Sequence, residues 1–319
     1  MIATSEDVAK RAGVSRGAVS QILNGRGQRF SSSTRERVLS AAAELEYQPS
    51  AAGRALANGS SDFVIVLVPN TTFGTNLQGL FEDATAALAE HGLTLVLHLS
   101  TQSSAALGRL VAGIKPRAVI SLVPFSPSER EVLERRSVAA LDPAATSRNA
   151  TDLLIGRLQA THLLERGFER IVVARLHDAR QDPFGDARLR GAREACEAAG
   201  IAAPRQIQLG IDLPAAVAAL SPLANERVGI ACYNDDVALT LLSAARLLGL
   251  QVPGDVGLIG MDNTALSQIS LPRLTTISYD VSQTSATIVN AIMQGLGLSH
   301  TPAAGTSEPA LSVRSGDST

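Results

Sequence analysis

From residue 62 onward the sequence alternates short apolar runs with amphipathic stretches, and that alternation limits the fold more than any other feature of the chain. Phe63–Val68 reads FVIVLV, the continuous apolar run of a strand covered on both faces of its sheet. Further strand candidates are Leu93–Leu99, Ala118–Val123, Ile171–Leu176, Ile207–Leu209, Val228–Cys232 and Val256–Met261. Helix candidates between them include Leu77–His91, Leu153–Arg166, Ala187–Ala199 and Val237–Leu248. Strands and helices in alternation predict a doubly wound α/β core with parallel sheet. Such sheets bind ligands beyond the carboxyl ends of their strands, so polar groups at strand ends become pocket candidates.

The N-terminal residues follow a helical rule instead. Thr4-Ser5-Glu6-Asp7 reads as a capped helix start, with Val8, Ala9 and Ala12 at helical spacing and Gly13 as the break. Ser15 caps a second helix, Arg16 to about Leu23, whose inner face is Val19, Ile22 and Leu23. A third start is expected at Ser33-Thr34-Arg35-Glu36, with Val38, Leu39, Ala42 and Leu45 as its buried stripe. Gly13, Ser15 and Gly17 formally spell G-x-S-x-G, the pattern of a hydrolase nucleophile elbow. That elbow requires a strand ahead of the serine. EDVAKRA ahead of Ser15 is helical, so the serine reads as a cap and the segment as a helix-turn-helix.

Charge and side-chain chemistry agree with that reading. Residues 1–60 hold eight Lys/Arg and five Asp/Glu, a charge of +3, within a chain of −2, so the other 259 residues carry about −5. A basic head on an acidic body suits a polyanion, although a solvated helical face has the same composition. The outer face of the second helix carries Arg16, Gly17, Ser20, Gln21 and Asn24. Arginine can bond a guanine edge with two donors, and glutamine an adenine edge. Thr4, Ser15, Ser20 and Asn24, with the amides of the helix starts, suit phosphates. The competing reading of the head is a three-helix protein-interaction module.

Other classes find little support. No apolar stretch reaches the roughly 18 residues of a membrane span, and MIATSEDVAKRAGVS lacks the apolar region of a secretory signal. Cys196 and Cys232 form neither a disulfide framework nor a Cys-x-x-Cys site, which suits a reducing cytoplasm. The five histidines (His91, His98, His162, His177 and His300) lack metal spacing. No Walker loop or Gly-x-Gly-x-x-Gly fingerprint occurs, and no nucleophile, base and orienter stand together. The chain is therefore expected to be no enzyme and to carry no metal or cofactor.

Taken together, EDVAKRAGVSRGAVSQILNG, TRERVLSAAAELEYQP, GRALANGSS, DFVIVLVPN, HLLERGFERIVV, RLRGAREA, ACYNDDVAL, GLQVPGDVGLIGMDN, PRLTTI and LSVRSGDST resemble the lactose/galactose repressor (LacI/GalR) family. These motifs stand in family order and span nearly the whole chain. The resemblance implies a helix-turn-helix head at 1–48, a hinge at 49–61 and an effector-binding and dimerisation core at 62–319. The core is implied to be periplasmic-binding-protein-like, with two doubly wound subdomains: about 62–150 with 282–300, and about 151–281 with 301–319. It further implies a cytoplasmic homodimeric repressor that binds a pseudo-palindromic double-stranded operator under the control of a small effector in the cleft between subdomains.

Carried over by position, Arg16, Gly17 and Gln21 fall at base-reading places. Gly17 departs from the larger polar residues often found there, so Arg16 and Gln21 should carry more of the readout. The loop Gly25-Arg26-Gly27-Gln28-Arg29-Phe30 is about one residue longer than usual. Its arginines either add phosphate contacts or are simply solvated. Ser50 can cap a hinge helix containing Arg54 and Leu56, and Leu56 matches the residue the family wedges into a central base step. Gly53 replaces the usual alanine, at a cost of roughly 1 kcal/mol in a helix interior, which predicts a hinge that orders only on DNA.

The effector candidates are Asn70, Thr72, Phe73, Asp152, Arg188, Asn234 and Asp262, with Phe184 and Tyr233 as further aromatic candidates. Asp235 and Asp152 also read as helix caps. An arginine fork with carboxylates can bracket hydroxyls or a polar ring. The chain has no Trp, which weighs against a pyranose and leaves a pentose, nucleoside, polyol or sugar acid. No heptad tail follows residue 300, favouring a dimer over a tetramer. The alternative function, a solute-binding protein without a DNA role, predicts a signal peptide and no capped head; the sequence meets neither condition.

Overall fold

The computed structural model describes residues 3–47, 59–70, 75–101, 103–142, 147–178, 180, 182–279, 281–298 and 311–319. Three helices form the head: α1 (Ser5–Ala12), α2 (Arg16–Leu23) and α3 (Ser32–Glu44). Thr4 and Asp7 close a capping box on α1, and Gly13 ends it at φ +66°, a conformation glycine reaches without steric cost. Ser15 caps α2 by accepting from the Ala18 amide. The cap of α3 is Ser31 rather than Ser33, two residues earlier than expected. Leu39 is 54% exposed, so the buried stripe is Val38, Ala41 and Ala42, with Leu45 packed at its edge. A slightly different helical phase decides this: Ala41 rather than Leu39 shares the side of Val38 that meets Val8 and Val19.

The α/β region builds two sheets. The first, ordered β2-β1-β3-β4, joins β1 (Phe63–Val68), β2 (Thr94–Leu99), β3 (Ala118–Ser121) and β4 (Ala139–Leu141), all parallel. Its helices are α4 (Thr75–Ala89), α5 (Ser104–Ile114) and α6 (Pro127–Arg135). The second, ordered β10-β9-β8-β7-β5-β6, joins β5 (Ile171–Leu176), β6 (Arg205–Leu209), β7 (Val228–Cys232), β8 (Val256–Met261), β9 (Thr275–Tyr279) and β10 (Leu311–Arg314). There β10 alone runs antiparallel, against β9. Helices α7 (Ser147–Glu165), α8 (Gly185–Ala198), α9 (Leu213–Leu220), α10 (Asp235–Leu247) and the short α11 (Ala265–Ile269) accompany it. The late helix α12 (Val281–Gly295) returns to the first sheet, where Val289, Ile292 and Met293 pack with β1, β3 and α4.

Alternation of side chains makes both sheets doubly covered. Val172, Ala174 and Leu176 face α9 and α10, while Ile171 and Val173 face α7 and α8. Gly229 and Gly257 stand opposite each other in β7 and β8, and their missing side chains make the slot for the Phe168 ring. A Cβ at Gly257 would come within 2.4 Å of that ring. Arg227 covers the ring at 4.1 Å. Beyond the expected elements the chain forms β4, β9, α5, α6, α9 and α11. Among the described residues no helix is long and apolar enough to cross a membrane.

Candidate functional site

The candidate residues fall in two polar groups: one on the head, one at the carboxyl edge of the second sheet. On the head, Val19 and Ile22 bury one side of α2 against Val8, Val38 and Ala42. The opposite side leaves Arg16, Gly17 and Ser20 exposed and Gln21 half-buried. Arg16 is met by Glu6 at 3.8 Å, between side chains that are both largely exposed. A Cβ at Gly17 would meet nothing nearer than the Ser15 hydroxyl at 3.9 Å, so packing within the head does not require glycine there. Asn24, the C-cap of α2, donates to the Ser20 hydroxyl at 3.3 Å, while its own carbonyl oxygen is buried without a hydrogen-bond partner. Thr4 and Ser15 have their oxygens engaged in the caps, so their fitness for phosphate lies in the helix-start amides beside them. Arg54 and Leu56 of the hinge lie outside the described residues, as do Ser50 and Gly53.

The second surface is built around Arg188. Its helix α8 crosses α7 at two glycines with backbone in contact. A Cβ at Gly156 would lie 1.9 Å from the Arg188 carbonyl oxygen, and one at Gly191 1.9 Å from that of Leu153. This close approach brings Asp152 of α7 against Arg188, Nε to Oδ1, at 2.9 Å. A second guanidinium nitrogen donates to the Tyr233 carbonyl after β7. Arg188 lies 5.2 Å from the Tyr233 ring and 5.5 Å from that of Phe184, and those rings stack at 6.2 Å and 14°. Burial pulls the Arg188 pKa down, but the neighbouring carboxylates, Asp152 first, more than offset this, so the guanidinium stays protonated. Asp262 follows β8 at φ +107° and Asn263 at φ +50°, two successive left-handed non-glycine residues. Backbone strain of this kind gathers at ligand clamps.

The helix-cap reading of the two aspartates is corrected by this geometry. Asp152 lies inside α7, beyond its first turn, and pairs with Arg188 instead. Asn234 is the residue that caps α10, accepting from the Val237 amide at 3.0 Å. Asp235 is fully buried and ties α10 to the next strands, accepting from the Thr276 hydroxyl at 2.6 Å and from the Thr264 amide at 2.7 Å and hydroxyl at 3.0 Å. Burial raises its pKa, and these hydrogen bonds oppose the shift.

Arg188, Asp152, Asn234 and Asp262 therefore gather at one sheet edge, with Tyr233 and Phe184 beside them. Asn70 is exposed at the end of β1, on the other sheet, while Thr72 and Phe73 lie outside the described residues. Sequence reasoning missed Gln159, whose buried amide donates to the carbonyls of Cys232 at 2.9 Å and Gly260 at 3.0 Å and so pins the ends of β7 and β8. It also missed Asp182, which joins Arg175 at 2.6 Å while accepting from the Gly185 amide at 2.7 Å, fixing the start of α8. A polar residue on an otherwise apolar helix face was the available signal for Gln159. Among the described residues no group of His, Cys, Asp and Glu could hold a metal ion.

Residues 4–50 match the model of bacterial regulatory proteins of the lacI family, and residues 160–319 match the periplasmic binding protein-like domain. The chain is 28% identical over 306 residues to a ribose operon repressor of Halalkalibacterium halodurans, covering 90% of this chain and 89% of that protein. It is 28% identical over 315 residues to the transcriptional repressor CytR of Escherichia coli K12, covering 92% and 90%. Among solved structures, the lac repressor dimer bound to operator and the anti-inducer ONPF superposes with a TM-score of 0.73 at 20% identity, over 100% of this chain and 99% of that one.

Proposed function

The chain belongs to the lacI family of bacterial regulatory proteins, and from that premise we propose how its residues divide the work. It is a DNA-binding transcriptional regulator with an effector-binding core. The proposed division is a head at 1–48, a hinge at 49–61 and a core of two subdomains, the first about 62–150 with 282–300 and the second about 151–281 with 301–319. Arg16 and Gln21 read base edges. Gly17 lets the backbone approach, and Thr4, Ser15, Ser20 and Asn24 position phosphates. Arg54 and Leu56 act in the minor groove. The carrying observation is α2 itself: capped, buried on one side in the head, and polar on the side it offers to solvent.

In the core, Arg188, Asp152, Asn234 and Asp262 hold the effector, joined by Asn70, Thr72 and Phe73 from the first subdomain. The ribose operon repressor among the relatives supports a pentose, polyol or nucleoside-like ligand. The protein acts as a cytoplasmic homodimer, and its core performs no chemistry on the ligand. Operator binding by purified protein, followed by fluorescence anisotropy across ionic strengths, tests the DNA half. Arg16→Ala is expected to lose about 1–3 kcal/mol and relax one operator position. An equal loss on every duplex would make Arg16 a phosphate contact. A thermal-shift screen with ribose, polyols and nucleosides tests the core, since a ligand of the native state raises its melting point.

A further inference from the structure

A groove of about 420 Å³ opens between α5 and α6 on the first sheet. Its floor is small: Ala105, Gly108 and Ala112 of α5, with Val132 of α6 3.6 Å from where a Cβ on Gly108 would stand. Its walls carry three guanidinium groups, Arg109, Arg135 and Arg136, and the Ser104 hydroxyl beside the N-terminus of α5; no carboxylate lines it. Arg135 pairs at the surface with Glu131 at 2.6 Å. Arg109 and Arg136 have no ion pair among the described residues, in a chain whose net charge is −2.

We propose that this groove is a second small-molecule site, separate from Arg188 and its neighbours, that takes a phosphorylated metabolite. Arg109 and Arg136, without an ion pair among the described residues, stand with Arg135 around an uncharged floor and attract an anion. Each can hold two phosphate oxygens through paired N–H donors. The amides of the first turn of α5 and the Ser104 hydroxyl add donors at one end. The volume lies near the low end of small-ligand pockets, about 300–1,000 Å³, which fits a pentose or hexose phosphate better than a macromolecule. Because the arginines are solvent-accessible, the attraction is screened and binding falls as salt rises.

Calorimetric titration of the full-length protein with inorganic pyrophosphate and with ribose 5-phosphate, at low and high salt, tests the proposal. Ribose alone separates phosphate recognition from sugar recognition. The expected result is binding of both probes, weakened at least tenfold in Arg109→Gln/Arg136→Gln, with pyrophosphate binding unchanged in Arg16→Ala and Arg188→Met. Loss in Arg16→Ala would move the anion to the head, and loss in Arg188→Met would move it to the effector pocket; either overturns the proposal. So does an absence of binding. Should the double variant fail to fold, labelling of the wild type with phenylglyoxal decides: pyrophosphate must protect Arg109 and Arg136, and labelling that pyrophosphate leaves unchanged overturns the site.

Discussion

Arg188 is held before any ligand arrives. Asp152 and the Tyr233 carbonyl take two sides of its fork, which leaves the remaining N–H groups at a fixed angle. Breaking such a buried pair strands a charge, at about 3–5 kcal/mol. Asp152→Ala should therefore lower stability in urea by about that much, and effector affinity with it. A double-mutant cycle with Arg188→Met should show coupling, whereas strictly additive losses would mean the contact does not act as a pair. Gly17 presents the opposite situation. Nothing in the head crowds its missing side chain, so Gly17→Ala should raise stability by roughly 0.5–1 kcal/mol, the ordinary helix preference of alanine. A simultaneous loss of operator affinity would show that the bare backbone there serves the DNA and not the fold. His162 has a sign of its own. Burial and Arg166 lower its pKa from 6.5, and it meets the Thr319 hydroxyl at 2.9 Å. The unfolded chain therefore takes up the proton first as pH falls. Its contribution to stability is complete above about pH 6.5 and is lost as pH drops from there through the lowered folded value. His162→Gln should flatten the stability profile in that window, measured by urea midpoints at successive pH.

At the scale of elements, the crossing of α7 and α8 decides where Arg188 and Asp152 stand. Gly156 and Gly191 let the helices touch through their backbones, and a methyl at either would lie 1.9 Å from a carbonyl oxygen. Gly156→Ala must push α8 outward, carrying Arg188 away from Asp152. The expected cost is about 3 kcal/mol, the upper part of the overpacking range, with helix content retained and the effector-induced thermal shift lost. A variant that still answers effector normally would show the crossing to be mere packing. This crossing was invisible in the sequence, where both glycines sit inside helical patterns and only a neighbouring backbone explains them. Strands such as Phe63–Val68 and Val256–Met261 were legible because burial on both faces writes an unbroken apolar run. Leu213–Leu220, rich in alanine, and Ala139–Leu141, only half-buried, gave no comparable signal. The caps on Thr4 and Ser15 were readable because their chemistry is local. Asp235 looked like a cap for the same reason, but its partners Thr264 and Thr276 come from distant sequence and take it across to the next strands.

The proposed two-fold operator would be read by two heads, so on that proposal the described surface should contain somewhere to dimerise. Leu266, Ile269 and Leu271 are 59%, 74% and 78% exposed within the short segment 266–271, and Leu97 and Leu99 are 46% and 65% exposed on the edge strand β2. Contiguous exposed apolar patches of this kind mark protein contacts. A symmetric interface uses one patch against its own copy, so a single aspartate is felt twice, with like charges facing across the two-fold axis. Ile269→Asp/Leu271→Asp should therefore give monomers by sedimentation velocity. The folded core should be untouched, because these side chains contribute little burial within one chain. Each monomer keeps its α2 surface and the Arg188 cluster proposed to hold the effector, so effector binding should persist. Operator affinity should not: joining two heads makes the second contact intramolecular, an advantage of about 100- to 10,000-fold. The variant should lose on the order of that factor on a full operator and almost nothing on a half-site, measured side by side by anisotropy. A double variant that still sediments as a dimer would place the interface elsewhere, with Leu97 and Leu99 the next positions to charge.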